Sequence, residues 1–176
     1  MSEQRADGLL PVAEAVNSEL PWLWWARTGS SRLAGMTAPP EGFPFSFLQE
    51  CGFDTIVSLA GPVSYDPSPL SSRVFTLQDL ARGAVPEDSA AEEAEVRRAV
   101  SAISSLLAEG HNVAVHCRLG AGRTGLVIGA VLVSEGHDPD RVTAWLAEVQ
   151  RARGIRGKGW PESPWQADLL ASFGGP

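Results

Sequence analysis

The stretch from Val113 to Val133 decides most of what this chain can fold into. Val113–His116 is short, apolar and rich in valine, which suits a buried strand. It passes without a break into a glycine-rich run, His116-Cys117-Arg118-Leu119-Gly120-Ala121-Gly122-Arg123-Thr124-Gly125, and then into Leu126–Val133. That last segment is apolar on nearly all sides, so it must be buried all round and is expected as a central helix. A strand feeding a buried helix through a tight turn is the unit from which sheets covered by helices are built.

The rest of the chain reads in the same alternating way. Residues Met1–Val16 are expected to form a loosely ordered leader, with one domain over 17–176. Trp22, Trp24 and Trp25 cluster on a first strand as core-covering aromatics, and Ser31–Gly35 reads as a second short strand before the Pro39–Pro40 turn. Phe45–Glu50 is a short helix stopped by Gly52, and Thr55–Leu59 is a buried strand. A loop rich in proline and serine (Gly61–Ser72) leads to a strand at Arg73–Leu77 and to the loop Gln78–Pro86. Val96, Val100, Ile103 and Leu107 form one apolar stripe of a helix capped by Asp88 or Ser89 and closed at Gly110. Asp138–Pro139 and Ser163–Pro164 start two further helices. The expected fold is α/β: a single domain with a central, mainly parallel sheet and helices on both faces.

Charge and cysteine content narrow the chemistry. A formal net charge of −7 argues against nucleic acid or an anionic membrane as partner, since both require an extended basic surface. Two cysteines, Cys51 and Cys117, are too few for a disulfide framework. No stretch approaches the roughly 18 apolar residues of a membrane span, and a reduced, cytoplasmic setting is expected.

The glycine-rich run is built to cradle an anion. Gly120 and Gly122 let the backbone curl so that several N–H groups converge, and the following helix adds the positive end of its dipole. Arg123 can reach back with a planar fork that matches two phosphate oxygens. Positive surroundings of this kind hold a cysteine as the thiolate, the nucleophilic form. Gly120–Gly125 also fits the dinucleotide pattern G-x-G-x-x-G, but Arg123 would stand where the pyrophosphate approaches, and no acid-tipped strand follows. No lysine follows the glycines, which removes a nucleotide-binding loop of the G-K-[ST] type. An inert buried Cys117 is the remaining alternative.

His116 to Thr124 matches the H-C-x5-R-[ST] signature, and the chain resembles the protein tyrosine and dual-specificity phosphatases, above all their small atypical members. Ser31–Gly35 (SRLAG) and Gly52–Leu59 (GFDTIVSL) resemble two strands of that family, and the likeness runs from about Trp24 to Phe173. The resemblance implies hydrolysis of phosphomonoesters through a phosphocysteine on Cys117, with no metal and no cofactor. Arg118, Leu119, Gly120, Ala121, Gly122 and Arg123 would form the phosphate-binding loop, Thr124 would stabilise the departing thiolate, and His116 would brace the loop. Gln166 matches a glutamine that positions water, although Ser163-x-x-Gln166 is also a helix capping box.

The general acid is open between two aspartates. Asp79 has the context of the family's aspartate loop but lies 38 residues before Cys117; Asp88, 29 residues before it, has the better spacing but stands where a helix cap belongs. Asp79 is favoured. A protective disulfide between Cys51 and Cys117 finds no support. Expected substrates are phosphorylated proteins or small phosphoesters, phosphotyrosine first and phosphoserine or phosphothreonine second. A phosphoinositide, an RNA 5′ end, or phosphate binding without turnover are the alternatives.

Overall fold

A computed structural model describes residues 8–16, 19–155 and 159–175. In chain order the elements are α1 (Val12–Ala15), β1 (Leu23–Arg27), β2 (Leu33–Met36), α2 (Phe45–Glu50), β3 (Thr55–Ser58), β4 (Ser71–Val74), α3 (Ser89–Ala108), β5 (Val113–His116), α4 (Gly122–Ser134), α5 (Pro139–Ala152) and α6 (Pro164–Ala171). The strands form one sheet in the order β1-β2-β5-β3-β4. Only β1 runs antiparallel to its neighbour; the pairs β2–β5, β5–β3 and β3–β4 are parallel.

The central strand is the one the sequence singles out. All four residues of β5 are buried. So are those of its neighbours β2 and β3, as strands covered on both faces require. The apolar helix α4 starts earlier than Leu126 and carries buried residues around its circumference. It is enclosed by α3, α5 and α6, and contacts β2 and β5 beneath. Helices do lie on both faces, but unequally. The face bearing Leu33, Val57 and Val115 meets α3–α6, whereas the face bearing Met36, Ile56 and Ala114 meets only α2 and a skirt of aromatic side chains.

Two expectations are corrected. The strand placed at Arg73–Leu77 is found at Ser71–Val74, because the ladder follows the register of β3, pairing Thr55 with Ser71 and Ser58 with Val74. Phe75 and Leu77, within the expected span, are buried just beyond the strand. Residues 9–16, read as part of a leader, are packed: Leu9 and Ala15 join the core, and the indole of Trp145 donates to Leu10 O at 2.7 Å. That short helix lacks any long apolar pattern, so only its docking on α5 reveals it. The rest of the expected leader, residues 1–7, lies outside the described residues.

Trp24 links the sheet to the turn that follows β5. Its ring lies over Gly35 of β2 and against Trp145, and its Nε1 donates to Gly120 O at 2.9 Å. A Cβ at residue 35 would fall 2.2 Å from that ring. Gly35→Ala is therefore expected to lower the unfolding free energy by about 1–3 kcal/mol, as overpacking does. Urea denaturation followed by tryptophan fluorescence measures it.

Candidate active site

The turn after β5 is shaped by bonds that reach it from outside. His116 Nδ1 lies 3.0 Å from Cys117 O, and Ala38 N donates to Arg118 O at 3.0 Å. Arg153 donates to Leu119 O at 3.1 Å and to Gly120 O at 2.9 Å, the latter shared with Trp24. Gly125 N donates to Ala121 O, and the indole of Trp160 donates to Gly122 O. In a trans peptide the C=O and the following N–H point in opposite directions. Tying the carbonyls outward therefore turns the amides of residues 118–123 inward. Gly120 is required here: its φ is +68°, and a Cβ would lie 2.3 Å from Met36 O.

The inward side is a small cavity of about 110 Å³, lined by Cys117, Arg118, Gly122, Arg123, Asp79 and Glu162, with Ala81 and Leu119 at its margin. Cys117 is buried at the end of β5. Arg123 donates to Leu77 O at 3.2 Å and to Asp79 Oδ2 at 3.3 Å. Asp79 also accepts from Ala81 N, which fixes it at the start of its loop. The loop is tied at both ends and in the middle: Gln78 N donates to Glu92, Glu87 N donates to Gln78 Oε1, and Gly83 N donates to Glu162 O.

The structure thus brings Cys117, Arg118, Leu119, Gly122, Arg123 and Asp79 to one cavity, whereas Gly120 and Ala121 are buried in the same turn without lining it. It does not bring Asp88 there; that carboxylate accepts from Ala91 N at 3.0 Å and caps α3. Gln166 is fully buried away from the cavity lining, and its Oε1 accepts from the amides of Glu162 and Ser163. Thr124 is fully buried in the first turn of α4, its hydroxyl without a partner among the described residues. Cys51 and Cys117 are both free thiols. No cluster of three or more metal-ligating side chains occurs among the described residues.

Several participants were not foreseen. Glu162 lines the cavity, and burial, then the charge of Asp79, push its carboxyl upward against the opposing pull of Arg123. Its position beside the capping box was the only hint in the sequence. Arg153, whose guanidinium burial pushes down to about 10 against the opposing pull of Cys117, follows α5 with no sequence mark beyond the helix end. Tyr65, the chain's single tyrosine, lies in the proline- and serine-rich loop and reaches His116 Nε2 at 2.7 Å.

The carbonyl fixes the imidazole: Cys117 O can only accept, so Nδ1–H donates to it and Nε2 of the neutral ring accepts from the phenol. Burial holds His116 below its ordinary value of 6.5.

The sheet order, the strand–turn–helix and the cavity at its tip define the tyrosine and dual-specificity phosphatase fold. Human DUSP28 shares it with a TM-score of 0.59 and 18% identity, over 85% of this chain and 91% of that one. OH1 from the Orf virus, described as a tyrosine phosphatase with triple substrate specificity, matches with a TM-score of 0.57 and 16% identity, over 85% and 86% of the two chains. PTPMT1, solved in complex with PI(5)P, matches with a TM-score of 0.57 and 15% identity, over 85% and 94%. Residues 28–137 match the family model "Polymorphic toxin system, DSP-PTPase phosphatase". The chain belongs to that family and is a cysteine-dependent phosphatase.

The buried neutral His116 carries a pH signature. Between its depressed folded value and 6.5 the unfolded chain binds more protons than the folded one. Stability is therefore expected to fall as pH drops through that window, and to lose no more to this group below it. His116→Gln should remove that part of the slope, read as the difference between urea midpoints of variant and wild type across pH.

Proposed function

We propose that the protein hydrolyses phosphomonoesters of proteins, phosphotyrosine first, in two steps through Cys117. The observation that carries this reading is that Cys117, Arg118, Arg123 and Asp79 line one cavity, beside a turn whose carbonyls from Cys117 to Gly120 are all bonded elsewhere. The amides and the Arg123 fork hold the phosphoryl oxygens. The thiolate of Cys117 attacks phosphorus, the bond to the leaving oxygen breaks, and Asp79 gives that oxygen its proton. Water then attacks the phosphocysteine, Asp79 takes a proton back, and the thiolate departs. Thr124 stabilises it there, and its hydroxyl, unpaired among the described residues, supports that role.

An entering phosphate dianion competes with Asp79 for Arg123 Nη2, so binding frees Asp79 from its ion pair, and Asp79 enters the first step carrying a proton taken from solvent, which it gives to the leaving oxygen. Glu162 offers a second reading of the acid, because its carboxyl is pushed upward in the same cavity. Gln166, holding the Glu162 and Ser163 amides, positions that segment. The intact Cys117–Arg123 pair favours turnover over binding alone. Arg118 is the one further cation of the loop, and a net charge of −7 favours a phosphoprotein over a phosphoinositide or an RNA 5′ end. PTPMT1 with PI(5)P keeps the lipid as the alternative substrate. Dependence on a free thiolate suits the reducing cytoplasm.

Cys117→Ser is expected to abolish turnover of an aryl phosphate while vanadate still binds, because the cradle is main chain and Arg123. More than about a hundredth of wild-type activity would remove Cys117 as nucleophile.

Asp79→Asn should lower kcat by roughly 10²-fold on a substrate with a poor leaving group, and much less on an activated aryl phosphate. Asp88→Asn should keep its cap and its rate. If Glu162→Gln shows the leaving-group-dependent loss and Asp79→Asn does not, Glu162 is the acid.

A further inference from the structure

A second, larger cavity of about 480 Å³ opens between the turns that follow β2 and β3. Those two strands flank β5 and run parallel to it, so both turns leave the sheet at the edge where the Cys117–Arg123 loop sits. The two regions are joined directly. Ala38 N donates to Arg118 O, and Tyr65 in the cavity wall reaches His116, whose other nitrogen lies on Cys117 O.

The lining has a consistent chemistry. Phe43, Phe45 and Tyr65 form a continuous aromatic wall, with ring centroids 5.2 Å apart for the first pair and 4.8 Å for the second. Glu41 and Asp66 stand beside it, both exposed, and among the described residues no arginine or lysine lines the cavity. Neither carboxylate has an ion-pair partner among the described residues. Aromatic faces attract cations through their quadrupole, and unpaired carboxylates add to that field. The site next door requires the opposite charge.

We propose that this groove receives an arginine or lysine side chain flanking the phosphorylated residue of a protein substrate. The proposal rests on the phosphoprotein reading above. It sorts substrates by a pair of neighbouring opposite charges: phosphate in the loop, a cation between the rings and the carboxylates. A polyanionic headgroup gains nothing from such a groove and is repelled by it.

The test compares three phosphotyrosyl peptides that differ only in the flanking residues, arginine, glutamine or glutamate. Wild-type kcat/KM should favour arginine over glutamate by about tenfold at low salt, with glutamine between, and the gap should shrink as ionic strength rises. Glu41→Gln combined with Asp66→Asn should bring the peptides within about twofold of one another. The amide at 66 can still accept from Ser68 N, so the turn is retained, and activity on a small aryl phosphate should be unchanged.

Equal cleavage of all three peptides by the wild type, or a gap that survives the double variant, overturns the groove assignment and leaves the phosphatase reading intact. Turnover of the aryl phosphate with no peptide cleaved removes the phosphoprotein substrate, and the groove assignment with it.

Discussion

Four consecutive main-chain carbonyls, from Cys117 to Gly120, are held from outside their own loop, by His116, the amide of Ala38, Arg153 and Trp24. An isolated glycine-rich segment would sample many conformations, and ordering it costs roughly 1–2 kcal/mol per residue. Here the order is imposed by groups that are themselves buried or packed: Trp24 over Gly35, Arg153 against Gln150, His116 beneath Tyr65. The rest of the site depends on it, because the same bonds set the shape of the turn around the cavity that Cys117 lines.

Charge around the cavity is balanced locally rather than by the molecule as a whole. Arg123 carries the positive charge, Asp79 pairs with it, and Glu162 completes the wall. Asp79 is half open to solvent although Arg123 is largely buried, so the contribution of the pair to stability is small, about 0–1 kcal/mol. Its consequence is positional: it holds the loop that begins at Asp79 over the cavity, together with the bonds of Gln78 and Gly83. A chain of net charge −7 can therefore still place two arginines, Arg118 and Arg123, on one cavity.

The unequal faces of the sheet serve the two sides of that site. α4 and its surrounding helices fill one face and fix the helix end of the loop. The opposite face carries one short helix and many rings, Trp22, Phe43, Phe45 and Tyr65 among them. Those rings cover the core, and along the turns after β2 and β3 they also shape the groove next to the loop.

The sequence by itself determined the strand–turn–helix of Val113–Val133, the positions of Cys117 and Arg123, the helix cap at Asp138, and the alternation that makes a parallel sheet. Each depends on neighbours within a few residues, where spacing and residue type carry the physics. Tertiary structure alone decided the rest. Spacing favoured Asp88 and context favoured Asp79, and the packing separates them: Asp79 reaches Arg123, and Asp88 caps the start of α3. Tyr65, Arg153 and Glu162 come to the site from three distant segments with no motif to announce them, and helix α1 is recognisable only by what it packs against. Contacts between remote segments are set by how whole faces pack, and no local pattern of residues encodes which partners that packing will bring together.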